Sequence, residues 1–204
     1  MGYYTVSIDE WSDAMRTKTP MPGRPILITF DDGYRDFAYN AWPILNRHGF
    51  SALVFLVAGN VGGIADWDAS YGEPAPLMNW DDIRQLASEG VDFGSHALHH
   101  KRLDSIPLDQ VREECSESRA LLEATLGRSI TTFSYPWGQH NEAVRRIVWR
   151  AGYRVALATH SQFSNFTDDL FALPRLEVLA RFSLRDFEAL LDRSCFDMAS
   201  TLHD

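Results

Sequence analysis

The chain has 204 residues, 45% hydrophobic, 12% aromatic and 23% charged, with 13 Gly and 9 Pro, which sets aside a disordered or collagen-like chain and makes one domain with one core the default. Its 19 Lys+Arg against 28 Asp+Glu give a formal net charge of -9, a field that repels phosphate backbones and anionic lipids and argues against nucleic acid as a partner. No apolar run reaches the ~18–20 residues of a bilayer span, and Met1 to Trp11 lacks the basic-then-apolar layout of an export signal. The expectation is a soluble chain with no transmembrane segment, in the cytoplasm unless an upstream segment directs it to the envelope or outside the cell. The spacing of Cys115 and Cys195 fits neither a disulfide framework nor a zinc knuckle, and both are read as buried thiols.

Along the chain, apolar runs of strand length alternate with segments of helical period. Ile26-Leu27-Ile28-Thr29-Phe30 is a β-branched run that predicts a strand, and no strand is expected ahead of it. Phe37, Ala41, Ile44 and Leu45 then recur at helical spacing before Gly49. Ala52 to Val57 predicts a buried strand, followed by a Gly- and Pro-rich loop from Gly59 to Pro76 that is placed to carry specificity. Asn79, with Asp82 three residues on, opens a helix that Gly90 ends in a left-handed cap. Val91 to Gly94 is the next strand. Pro107 starts a long helix with Leu108, Val111, Cys115, Leu122 and Leu126 on one face, stopped by Gly127. A strand at Thr131 to Tyr135, a helix at Glu142 to Ala151, strands at Tyr153 to Ala158 and Leu176 to Val178, and a helix from Leu184 to about Arg193 complete the pattern. Such alternation implies an α/β fold of parallel strands with helices packed outside, and in such folds active groups collect where strands end.

Three strand ends are chemically conspicuous. The first ends in Asp31-Asp32-Gly33, the third in Ser95-His96 with His99 and His100, and the fourth in Pro136-Trp137-Gly138. Asp-Gly alone is a turn signal, but a helix and not a second strand follows it here, which removes the hairpin. Adjacent carboxylates at a strand end point to opposite sides, so one is free to bind a metal while the other moves protons. Three histidines in five positions make a solvated loop by default. His96 and His100, however, are four apart and reach one ion together, with His99 facing away. Two His and one carboxylate with open positions form a divalent-metal arrangement suited to hydrolysis and to oxygen chemistry.

Thr29-Phe30-Asp31-Asp32-Gly33-Tyr34, Gly94-Ser95-His96 with His100, and Phe133-Ser134-Tyr135-Pro136-Trp137-Gly138 resemble the first three motifs of the polysaccharide deacetylases of carbohydrate esterase family 4. This is the NodB homology domain, and the likeness spans roughly Arg24 to Val178. The resemblance implies a distorted (β/α) barrel, here short of an N-terminal strand, in a single catalytic domain over residues 1–204. It also implies metal-dependent removal of N-acetyl groups from an amino-sugar polymer or oligomer. On that footing Asp31 is the general base, while Asp32, His96 and His100 hold a divalent ion, with zinc the first choice. The backbone N–H of Trp137 faces the oxyanion, and Trp137 and Tyr135 wall the acetyl pocket; for both rings ordinary core packing is the alternative.

Two departures from the family pattern stand out. Ser134 occupies the position where many members carry an Arg paired with the base; a small residue also stands there in the poly-N-acetylglucosamine deacetylase-like subgroup. The histidine that protonates the leaving amine in the family is missing where the last strand should end, at Pro174-Arg175-Leu176-Glu177-Val178. Leu202-His203-Asp204 matches it in three letters by chance, His160 is a substitute by position, and in some members this histidine lies on a strand ahead of the first motif. Slow turnover by the chain as it stands is therefore expected. Besides the deacetylase, two readings stay open: a hydrolase of another small linear amide, with the loop 59–76 covering the site, and a carbohydrate-binding relic without turnover. Oligomeric state is left open.

Overall fold

In the computed structural model, residues 2–70, 72–159 and 169–200 are described, with side chains as far as residue 192. Two parallel sheets organise them. The smaller pairs β1 (Tyr3–Thr5) with β2 (Arg24–Ile26), with Tyr4 opposite Pro25. Between these strands runs α1 (Ile8–Thr17). Ser7 caps that helix, its hydroxyl accepting from the Glu10 N–H while the Glu10 carboxylate accepts from the Ser7 N–H, a reciprocal capping box. A strand therefore does precede the first motif, contrary to expectation; it runs into Val6 and Ser7 and carries no histidine.

The larger sheet holds five parallel strands side by side in chain order: β3 (Thr29–Phe30), β4 (Leu53–Leu56), β5 (Asp92–Ser95), β6 (Thr132–Ser134) and β7 (Val155–Leu157). The run Ile26 to Phe30, expected as one strand, is divided between the two sheets. Ile26 accepts from the Val6 N–H of the small sheet, whereas the Ile28 carbonyl accepts from Leu53 at the edge of the large one. Between them Leu27 packs on a satellite core of Ile8, Met15, Leu53 and Phe55. Helices cover the outside: α2 (Trp42–Arg47) after a wide turn at Phe37–Ala41, α3 (Trp80–Ser88), α4 (Leu108–Leu126), α5 (Glu142–Arg150) and α6 (Leu184–Ser200), which runs past its expected end near Arg193. The result is an α/β half-barrel, a curled parallel sheet with helices outside.

All four residues of β4, and all of β6 and β7, are buried, as strands covered on both faces must be. The main core lies between this sheet and the helices, built on Val54, Leu56, Phe93, Phe133, Val111 and Ile147. Leu176 to Val178 is not a strand. The chain meets the sheet earlier, where Leu173 bridges Leu157 in parallel and is 2% exposed. By Val178 it has reached the surface, and Arg175 is drawn aside by an ion pair.

Candidate metal centre

Strands buried on both faces leave polar side chains to the strand ends, and here the carboxyl ends of β3, β5 and β6 open on the same end of the parallel sheet, with β4 between the first two. Directly after β3, Asp32 and Gly33 take left-handed φ of 71° and 79°. At Gly33 the left-handed backbone favours glycine, and a Cβ there would press on Leu56 Cδ2 at 2.7 Å. This sharp turn sends the two neighbouring carboxylates to different partners.

Asp32 faces the histidines. Its Oδ1 lies 3.5 Å from His96 Nε2 and 3.2 Å from His100 Nε2, and one ligand atom from each of the three residues falls within 4.8 Å of the others. His96, 2% exposed, bonds through Nδ1 to the Ser134 carbonyl at 2.8 Å. A carbonyl only accepts, so Nδ1 carries the proton and Nε2 presents its lone pair toward Asp32. Burial pushes the His96 pKa below the usual histidine range against the pull of Asp31 and Asp32, which keeps the imidazole neutral. Asp32 Oδ1 is itself buried without a hydrogen-bond partner. An orphaned carboxylate oxygen facing two imidazole nitrogens is the donor set of a divalent cation, so these residues fit the ion that the sequence assigns to them. His99 turns away, half exposed, and bonds Glu114 through Nδ1 at 3.0 Å.

Asp31 faces Arg175. The guanidinium donates through Nη1 to Oδ1 at 2.8 Å and through Nη2 to Oδ2 at 2.6 Å, and also to Thr29 Oγ1, to Ser134 Oγ and, through Nε, to the Ala158 carbonyl. Burial works to raise the Asp31 pKa, but Arg175, with His96 and Ser134, outweighs it and holds the carboxyl at about 2. Sequence reasoning missed Arg175. The available signal was Ser134 itself, since a base without its arginine in the third motif needs one from elsewhere, and Pro174-Arg175 closes the last β-like segment.

Two indoles flank His100. Trp137, at φ 62° and 40% exposed, lies 5.2 Å from the imidazole, centroid to centroid. Trp67, also missed, stacks on the imidazole at 4.4 Å from the loop 59–76, which Tyr34 secures by donating its hydroxyl to Asp68. Tyr135 differs from its expected place in a substrate pocket: it is fully buried, packs on Phe133 and donates its hydroxyl to the Phe171 carbonyl at 2.9 Å. It is core and presents no face to a sugar. Cys115 is buried as expected, and burial, then Glu114, push its thiol up to about 12. His160, His203 and the Cys195 side chain lie outside the described residues.

A family described as polysaccharide deacetylase matches residues 18–156. YxkH of Bacillus subtilis (strain 168), provisionally named a polysaccharide deacetylase, is 27% identical over 192 residues, covering 94% of this chain and 64% of that protein. The poly-beta-1,6-N-acetyl-D-glucosamine N-deacetylase of Escherichia coli (strain K12) is 23% identical over 218 residues, covering 91% and 32%. The chain thus spans less than two thirds of these relatives. Among solved structures, the Streptococcus pyogenes deacetylase PplD in complex with acetate superposes with a TM-score of 0.80 at 23% identity, over 93% of this chain and 80% of that one, a likeness of fold. Among the described residues no helix is long and apolar enough to cross a membrane.

Proposed function

The chain belongs to the polysaccharide deacetylase family, and we propose that it removes N-acetyl groups from an amino-sugar polymer or oligomer, as one catalytic domain using a divalent ion held by Asp32, His96 and His100. The observation that carries this reading is the division of adjacent carboxylates, with Asp31 on Arg175 and Asp32 on two imidazoles. The ligand set of nitrogen and oxygen donors favours zinc. Such an ion supplies an electrophile for the acetamide carbonyl and lowers the pKa of water to ~7.

The chain's own residues hold the acetyl group and take the proton of the attacking water. Asp31, ionised and aimed by the Arg175 fork, accepts the proton of the attacking water at a carboxylate oxygen. Ser134 holds His96 from its carbonyl and touches Asp31 with its hydroxyl, and so fixes base and ligand relative to each other. The backbone N–H of Trp137 donates to the oxyanion as the carbonyl is attacked, and its indole bounds the acetyl group beside His100. A poly-β-1,6-linked N-acetylglucosamine, the substrate in the name of the Escherichia coli relative, is the glycan to try first.

Zinc-loaded protein is to be incubated with β-1,6-linked N-acetylglucosamine oligomers, chitin oligomers and small acetylated amides, and acetate measured. Acetate is expected from a glycan. Asp31→Asn is expected to keep its zinc and lose ~10²-fold or more of the rate, whereas Asp32→Asn loses the zinc itself. Acetate from none of these substrates contradicts the proposed activity. Loss of zinc from Asp31→Asn, with Asp32→Asn unaffected, reverses the two roles.

A further inference from the structure

The segment from Ala97 to His100 takes an unfavourable path. Ala97 and His100 both have left-handed φ, 64° and 56°, without being glycine, so the surroundings must impose the turn that brings His100 back beside His96. On one side the backbone after β4 imposes it: Ala58 N–H donates to the Ala97 carbonyl at 3.1 Å and Gly59 N–H to the Leu98 carbonyl at 2.8 Å. On the other side stands α4, with two buried polar side chains one turn apart, Glu114 at 2% exposure and Ser118 at 0%.

Both reach the turn. Ser95 Oγ, which accepts from the Ala97 N–H, donates to Ser118 Oγ at 2.9 Å. One oxygen of Glu114 accepts the consecutive N–H groups of Leu98 and His99 at 2.9 and 2.8 Å. The other receives His99 Nδ1 at 3.0 Å and Lys101 Nζ at 3.1 Å. Four donors on one buried carboxylate, all from the three residues that bracket His100 or stand just before it, are more than helix packing requires. A charge buried on four such donors is placed to fix the backbone that carries them.

We propose that Glu114 is a positioning residue for the metal centre, holding residues 98–101 in the turn that keeps His100 in ligating position. This rests on Asp32, His96 and His100 being the divalent-metal site. Glu114 touches neither ion nor substrate; its effect runs through the backbone of Leu98 and His99. Because ion pairing and backbone capture act together, glutamine replaces it only in part, as the amide keeps one acceptor oxygen and turns its nitrogen toward His99 and Lys101.

Zinc affinity, measured by competition with a chromophoric chelator, and the visible spectrum of the cobalt-substituted protein separate this role from one in folding alone. Glu114→Ala is expected to bind zinc ~10–100-fold more weakly, as loss of a group that orients a ligand typically does, and to alter the cobalt bands while the far-ultraviolet circular dichroism stays that of the wild type. Glu114→Gln, nearly isosteric, serves if the alanine variant does not fold, and is expected to lose about 10-fold. A folded variant with wild-type zinc affinity and an unchanged cobalt spectrum overturns the proposal. A wild type that binds zinc tightly yet releases no acetate overturns the proposed activity instead, and leaves the affinity comparison intact.

Discussion

Arg175 reaches Asp31 across 144 positions of sequence and closes a two-toothed bond on it. Such a fork fixes the direction of a carboxylate as well as its charge, which a lysine does not. Arg175→Met is therefore expected to retain zinc, since Asp32 and the histidines are untouched, and to lose about 10²-fold in acetate release as Asp31 swings from its aim. Arg175→Lys should recover little of that loss. Wild-type rates in both variants, measured at matched zinc content, would remove Arg175 from the site. Asp31, Asp32, His96 and His100 were legible in the sequence because their spacing is local: two adjacent residues at one strand end and two residues four apart at another. Arg175, Trp67 and Glu114 were not, since each is chosen by packing between segments far apart in the chain, and an arginine after a proline or a glutamate in a long helix reads as surface.

The helix α4 illustrates the same point for an element. Its apolar period gave its length and its end at Gly127, whose left-handed φ of 63° closes it; Glu114 and Ser118 fall on the buried side of that same period, but their polar side chains hide the fact in the sequence. Burial raises the Glu114 pKa, and the His99 N–H and ring, with Lys101, more than reverse this, so the carboxyl titrates below the ordinary glutamate value. A depressed carboxylate stabilises the folded state above its unfolded pKa and loses that contribution as pH falls through the folded one. Wild-type stability in urea is thus expected to fall on acidification below pH about 4.5, and the fall should be shallower in Glu114→Gln; parallel curves would show that Glu114 gains nothing from its partners. Elsewhere, element boundaries followed hydrogen-bonding opportunity more than hydrophobicity. The run Ile26 to Phe30 is apolar but for Thr29 yet serves two sheets, and the last strand pairing falls at Leu173 instead of Leu176 to Val178. The helix α1 was legible in principle, for Ser7-Ile8-Asp9-Glu10 is a capping box in sequence as in structure.

For the whole molecule, chain order and space order coincide in the large sheet, and this makes the site readable as a set. Each crossover returns the chain to the same end of the sheet, so the carboxyl ends of β3, β5 and β6 open on one side, with β4 between the first two, and motifs separated by dozens of residues converge on one candidate cation site. The claim that unites the fold, the ligands and the family is that one divalent ion per chain drives acetate release. Metal-free protein titrated with zinc, with acetate release from N-acetylglucosamine oligomers followed at each addition, tests it directly. The rate should climb from near zero and level off at one zinc per chain, and should stay flat throughout for His96→Ala and His100→Ala. Full acetate release from the metal-free protein, or equal zinc uptake and rate in all three proteins, would contradict the account.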